Sequence, residues 1–296
     1  MLTGKPYFMV GIKASGCLYD IRINDVTVTE EIRGLPMSAD LPANHFMLSG
    51  KNLLSIHLRP IGEETELAPS AEVSASLLVR QSGTPRESNQ TIAILRYQAG
   101  REELEDRIAG STPTGKKDST NGFLSSDTGD VNVDSIESLP TPDGKGVIIR
   151  REIELTTSIP RWAWLDSDEI PETDETKKEL SLQYQKIWDL LKSGNVQGKL
   201  PPLFAERTKE LATAFYTSEK EMAPNGLESI VADQEYEIAD MYLDHALFRI
   251  LGKGKLARFL FWNGMPLINF NHKTEEMSKN FEIMFRKSGG DWIITR

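Results

Sequence analysis

Residues that could do chemistry are few in this chain, and each grouping stops short of a complete set. Gly110-Ser111-Thr112-Pro113-Thr114-Gly115-Lys116-Lys117 has nearly the spacing of a phosphate-binding loop. Lys117, however, stands where a Ser or Thr hydroxyl would hold magnesium, and residues 101–108 read as helix or loop where a buried strand is required. Asp130-Val131-Asn132-Val133-Asp134 starts like a calcium loop, with oxygen ligands at alternate positions. Its sixth position is Ser135 rather than the turn-forming Gly, and its twelfth is Thr141 rather than a bidentate Glu, so an acidic loop is the simpler reading.

Two further groupings depend on a helix predicted over residues 227–251. Glu237, Asp240 and Asp244 would share a narrow wedge of it, as a cation site, an acid and base pair, or a solvated stripe. His245 would fall among Ile238, Met241, Tyr242 and Phe248, with Arg249 one turn on. It is the weak catalytic candidate, as a general base or ligand donor in a cavity, against the plainer reading of a hydrogen-bonded core histidine. His45, His57 and His272 show no metal spacing. Cys17 has no nearby His, and the chain contains no Gly-x-Ser-x-Gly elbow. Trp162 and Trp164 flank Ala163 and would lie on one side of an extended chain, either as a platform for a sugar, peptide or partner protein, or as packing between domains. They are the tentative partner-binding residues. No cofactor and no metal is expected.

The elements that must position these residues follow two patterns. The segments 7–13, 17–28, 52–59, 73–80, 91–98 and 146–157 are short, β-branched and turn-punctuated, with an interruption expected at Asn24-Asp25. They predict an antiparallel β-sandwich. Residues 109–145 are dense in Ser, Thr, Gly, Asp and Pro and predict a long mobile insertion. Residues 166–175 read as an acidic, proline-flanked linker. Beyond it Thr176 and Glu179 fit a capping box, and Leu180, Tyr184, Ile187, Trp188 and Leu191 share one helical face that ends at Gly194. A second helix would bury Leu203, Phe204, Leu211 and Phe215. Strands return at 256–262, 266–271, 281–287 and 292–295, with Asn263-Gly264 as a hairpin signal. The expected domains are therefore 1–165, a β-sandwich, and 176–296, an α+β domain with helices first and an antiparallel sheet last.

The run Tyr19-Asp20-Ile21-Arg22-Ile23-Asn24-Asp25-Val26, with Leu41-Pro42-Ala43-Asn44 and Ser49-Gly50-Lys51-Asn52-Leu53-Leu54-Ser55-Ile56, resembles the jelly-roll accessory domains of glycoside hydrolases, with Asp25 where those have Gly. The resemblance implies a sandwich and, more distantly, carbohydrate. Arg286-Lys287-Ser288-Gly289-Gly290-Asp291-Trp292-Ile293-Ile294 resembles the last hairpin of the cone-shaped α+β domains named for nuclear transport factor two. That family includes both enzymes and binding modules, so the resemblance implies a fold and no activity.

The bulk numbers narrow the function classes. At 296 residues and 39% hydrophobic the chain can fill two cores. A formal charge of -10 disfavours nucleic acid, which needs Lys and Arg in excess. One cysteine allows neither an internal disulfide nor a cysteine-ligated zinc. No apolar run reaches the ~18 residues of a membrane span. The protein is either cytoplasmic or exported after a leader that precedes this sequence. The reading these features favour is a non-catalytic binding protein for a protein partner or carbohydrate. The alternatives are a small-molecule enzyme around His245 and a structural component of a larger assembly.

Overall fold

The computed structural model describes residues 4–101, 108–109 and 131–296, which form two compact units, Met1–Arg161 and Trp162–Arg296. The first is built from β1 (Pro6–Ser15), β2 (Leu18–Ile23), β3 (Val26–Glu31), β4 (Met37–Pro42), β5 (Gly50–Arg59), β6 (Glu72–Gln81), β7 (Gln90–Gln98), β8 (Ile108–Ala109), β9 (Val131–Val133), β10 (Glu137–Pro140) and β11 (Val147–Leu155). One antiparallel sheet runs β4-β1-β6-β7-β8, and the other β10-β11-β5-β2-β3 with β9 beside β11. Side chains alternate across a strand, so one set goes to the core. Phe8, Val10, Ile12 and Ala14 of β1 lie inside with Val73, Ala75, Leu77 and Val79 of β6, as do Ile21 and Ile23 of β2, Leu54, Ile56 and Leu58 of β5, and Ile149 and Ile153 of β11. The expected sandwich is what forms.

Asn24 and Asp25 both take positive φ (56° and 64°), the primed turn whose twist matches a two-residue hairpin between β2 and β3. The Asn24 side chain then knits the fold. Its Nδ2 donates to the Phe46 carbonyl (2.8 Å) and to Asn52 Oδ1 (2.9 Å), while its Oδ1 accepts from the Leu53 amide. Asn44 receives the Phe8 amide and donates to the Pro6 carbonyl. The asparagines in the jelly-roll-like runs are thus buried structural bridges. Part of the expected insertion is also ordered as strand, because β9 and β10 pair in succession along β11. Positions 110–130, including the phosphate-loop-like run, lie outside the described residues.

In the second unit α1 (Asp174–Lys192) buries Leu180, Tyr184, Ile187 and Leu191, as the spacing predicts. Its cap differs from the expectation. Thr173 is the N-cap, accepting from the Thr176 amide, and Glu179 turns instead to Lys287 Nζ (2.6 Å) and Trp292 Nε1 (3.1 Å). The segment expected as a linker belongs to this unit: Ile170 lies in its core and its amide donates to the Gly254 carbonyl. Then come α2 (Leu200–Leu203), α3 (Ala205–Phe215), α4 (Glu219–Met222) and α5 (Asn225–Ala232). On α2 and α3 Phe204 is buried as predicted, but Leu203 is exposed, Leu211 and Phe215 are half-buried, and Thr208, Ala212 and Ala214 take the inner side.

The expected helix over 227–251 ends at Ala232. The rest becomes β12 (Tyr236–Ile238), a 3-10 turn (Leu243–His245) and β13 (Leu247–Leu251), followed by β14 (Leu256–Leu260), β15 (Ile268–His272), β16 (Ser278–Phe281), β17 (Phe285–Ser288) and β18 (Asp291–Ile294). Pairing with β15 and β14 overrides the helical spacing, and Gly252-Lys253-Gly254, all at positive φ, is a strand-to-strand turn. The expected single sheet is two: β12-β15-β16 and β13-β14-β17-β18. Asn263-Gly264 does turn the chain, but Pro266 has no amide to donate, and pairing stops at the Leu260–Pro266 bridge. Between β16 and β17 the break is tied down by Tyr184, whose hydroxyl donates to the Ile283 carbonyl (2.8 Å) and accepts from the Phe259 amide (3.2 Å). Burial pushes this phenol far above its ordinary range.

Tyr184→Phe strands a buried carbonyl and a buried amide, so urea denaturation is expected to show a loss of about 1–3 kcal/mol. A loss below ~0.5 kcal/mol would mean water replaces the hydroxyl without penalty.

Candidate functional site

The sequence-selected residues do not converge. Trp162 and Trp164 are 1% and 2% exposed, so they present no platform to a partner; this corrects the expectation drawn from their spacing. The Arg296 guanidinium sits 5.4 Å from the Trp162 ring centroid, and Trp164 packs at Gly252. The alternation that would place both rings on one open side fails because Ala163–Asp166 is a 3-10 turn. His245 is exposed at the end of the Leu243–His245 turn, not in a cavity, and Glu237, Asp240 and Asp244 are exposed on a strand, a loop and that turn. With no helix under them the wedge does not exist. Cys17 is sealed in the first core, where burial raises its thiol to about 11, so it is a packing residue. Of the calcium-like run, Asp130 lies outside the described residues and Val131–Val133 form β9, paired with β11. Among the described residues no three His, Cys, Asp or Glu side chains gather as metal ligands would.

A hydroxyl and an imidazole do meet on the outer face of the β2-β5 pair, where Ser55 Oγ lies 3.3 Å from His57 Nε2. Burial and the nearby Arg22 charge lower the imidazole's pKa. Asp20, across the strand from His57, gives its Oδ2 to Arg22 rather than to the ring, so the pair lacks an orienting carboxylate.

A concavity of the first unit lies on the outer face of the other sheet and follows from register. Residues directly opposite in antiparallel strands share a face. Asp40, Gly11, Ser76 and Ile94 form one row across β4, β1, β6 and β7; Ser38, Lys13, Ser74 and Arg96 form the next. Three of the four inner positions are small, because Gly11, Ser74 and Ser76 rise little above the backbone; Lys13 is the fourth, and Asp40 and Arg96 stand on the flanking strands. The result is a trough of about 320 Å³, and with strands ~4.8 Å apart it is about 14 Å across. A Cβ on Gly11 would lie 3.0 Å from Asp40 Oδ1 and 3.3 Å from Leu78 Cδ1, so any larger residue raises the floor. Glycine inside a strand costs about 0.5–1 kcal/mol, a cost compatible with keeping the floor open.

Charge at the trough opposes that of the chain. Arg86 NH2 pairs with Asp40 Oδ2 at 2.5 Å, and Lys13 and Arg96 make no ion pair with any described residue. Three cations against one carboxylate leave two positive charges in a chain of net charge -10. No sequence signal marked these residues as a set, because they run from Gly11 to Arg96 and only the register joins them.

The second unit carries its own charged cluster, on a structural footing. Glu206 of α3 receives Arg286 bidentately (2.7 and 2.5 Å), and Glu210, one turn on, receives the Ala163 amide, Thr295 Oγ1 and Arg296. The two pairs fasten α3 to the ends of β17 and β18.

Fold and trough together define a β-sandwich joined in one chain to an α+β unit, with a polar concave face on the sandwich. No protein family, curated protein or solved structure matches the chain.

Burial raises the Glu206 carboxyl, but the Arg286 and Thr295 hydrogen bonds and the Arg286 and Arg296 charges outweigh it, leaving the pKa below its ordinary 4.5. A carboxyl depressed in the folded state contributes stability above its unfolded pKa and loses it as pH falls through the folded value. Stability is therefore expected to drop as pH falls below 4.5. In Glu206→Gln the thermal midpoint should decline less steeply there; an unchanged slope would exclude Glu206 from the acid transition.

Proposed function

We propose that this protein is a non-catalytic binding protein whose first unit holds a short acidic carbohydrate across the outer face of β4, β1, β6 and β7. The observation that carries this reading is the register that aligns Gly11, Ser74 and Ser76 as a low floor between Lys13, Arg96 and the Asp40–Arg86 pair. A sugar presents hydroxyls that both donate and accept, which suits serine hydroxyls and an accessible carboxylate. Its acidic groups suit Lys13 and Arg96, which make no ion pair with any described residue. A bound peptide strand would seek main-chain partners at a sheet edge, whereas the floor strands β1 and β6 are paired on both sides. Hydrolysis of a glycoside normally needs two flanking carboxylates; the trough offers Asp40 alone, already paired with Arg86, which favours binding over turnover.

The reading is tested by calorimetric titration of the full chain with tetragalacturonate and, separately, with neutral maltotetraose. The acidic tetramer is expected to bind about tenfold or more tightly than the neutral one, and to weaken as salt rises. Lys13→Gln combined with Arg96→Gln should remove most of that difference, and Gly11→Val should weaken both ligands by filling the floor. Equal affinity for the two tetramers, or acidic binding that survives all three substitutions, contradicts the reading.

A further inference from the structure

In the second unit α3 turns Glu206 and Glu210 toward arginines of the closing strands, and between them in sequence stands an arginine with different surroundings. Arg207 makes no hydrogen bond or ion pair with any described residue, and its Nε is sealed from solvent without a partner. Burial, with the nearby Arg296 charge second, pushes its pKa down, and the Glu282 charge offsets only part of this. A half-buried guanidinium whose nearby carboxylate, Glu282, makes no ion pair with it leaves donors unused, and such groups are normally paired. Arg207 lines an open cleft of about 270 Å³ whose walls are Phe204, Pro224, Leu227, Phe281 and Ile283. Glu282 shares the lining, and its carboxylate is already engaged by Arg258.

We infer that this cleft binds a small organic monocarboxylate, with the carboxylate on Arg207 and an apolar body against Phe204, Leu227 and Phe281. The guanidinium fork matches a planar carboxylate bidentately, and the apolar walls exclude the water that would otherwise screen the pair. Arg207 and Arg258 against Glu282 leave one positive charge at the cleft, which one negative charge balances. A dianion such as a phosphate monoester would carry its second charge toward Glu282. The volume lies just below the ~300–1,000 Å³ typical of ligand pockets and suits a fragment-sized molecule. The site is separate from the trough, because all its residues belong to the unit Trp162–Arg296.

The test titrates the full chain with benzoate and hexanoate, with benzamide as the uncharged isostere of benzoate and phenyl phosphate as the dianion. At least one carboxylate should bind saturably below about 10 mM, with benzamide and phenyl phosphate each about tenfold weaker or worse. Arg207→Met should abolish that binding, and Arg207→Lys should weaken it about tenfold, since the charge stays and the fork is lost. Stability of the ligand-free variants separates recognition from scaffolding. Arg207→Met removes a half-buried charge that makes no ion pair with any described residue, so it should melt at the wild-type temperature or above. A melting point lowered by several degrees would make Arg207 a structural residue and overturn the proposal. So would carboxylate binding that persists in Arg207→Met, benzamide or phenyl phosphate binding as well as benzoate, or no saturable binding of either carboxylate.

Discussion

The ten-residue pairing of β1 with β6, from Pro6 opposite Gln81 to Ser15 opposite Glu72, is the constraint on which the rest of the first unit depends. A strand has two faces and a period of two, so one register decides both what is buried and what is presented. The alternation that sends Phe8, Val10, Ile12 and Ala14 into the core puts Met9, Gly11 and Lys13 on the opposite side, facing Leu78, Ser76 and Ser74. A slip of one residue would bury Lys13 and expose Val10, at a penalty far larger than a sandwich of this size can absorb. The trough floor is therefore as fixed as the core. Its geometry needs no ordering of a loop, because the residues at its centre come from regular strands rather than connections.

Charge is handled in two ways in the second unit. Glu206 and Glu210 lie one helical turn apart, and each takes an arginine from the sheet that closes the chain, Arg286 and Arg296. Pairs so buried add little net stability over an apolar alternative, but removing one partner costs about 3–5 kcal/mol, so they fix which turn of α3 meets which strand. Arg207 sits on the same helix turn and makes no ion pair with any described residue. The contrast between neighbours is what distinguishes a scaffold arginine from one available to a ligand.

Much of the fold was legible in the sequence, and the reasons for success and failure are local. The strands at 7–13, 73–80 and 91–98 were visible because β-branched runs alternate and are bounded by turn residues. The Asn24-Asp25 turn was visible because both residue types tolerate positive φ. The buried face of α1 followed from its 3.6-residue period. Residues 227–251 misled because Ile238, Met241, Tyr242, His245 and Phe248 also fit a helix, and only their partners in Ile268–His272 and Leu256–Leu260 decide otherwise. β4 was invisible, since Met37-Ser38-Ala39-Asp40-Leu41-Pro42 has little strand propensity and is held by its pairing to β1.

The candidate site was less legible than the fold. Tryptophan and histidine draw attention because their side chains can do much, yet Trp162 and Trp164 are packing and His245 is a surface turn residue. Gly11, Ser74 and Ser76 have no signature in sequence, because what matters about them is smallness at positions that only pairing brings together. The most direct measurement of the central claim is a map of backbone amide shifts in the isotope-labelled full chain on adding tetragalacturonate. Perturbations are expected to concentrate at Gly11, Lys13, Ser74, Ser76 and Arg96. Perturbations confined to the Ser55–His57 face of the other sheet, or to residues after Trp162, would contradict it.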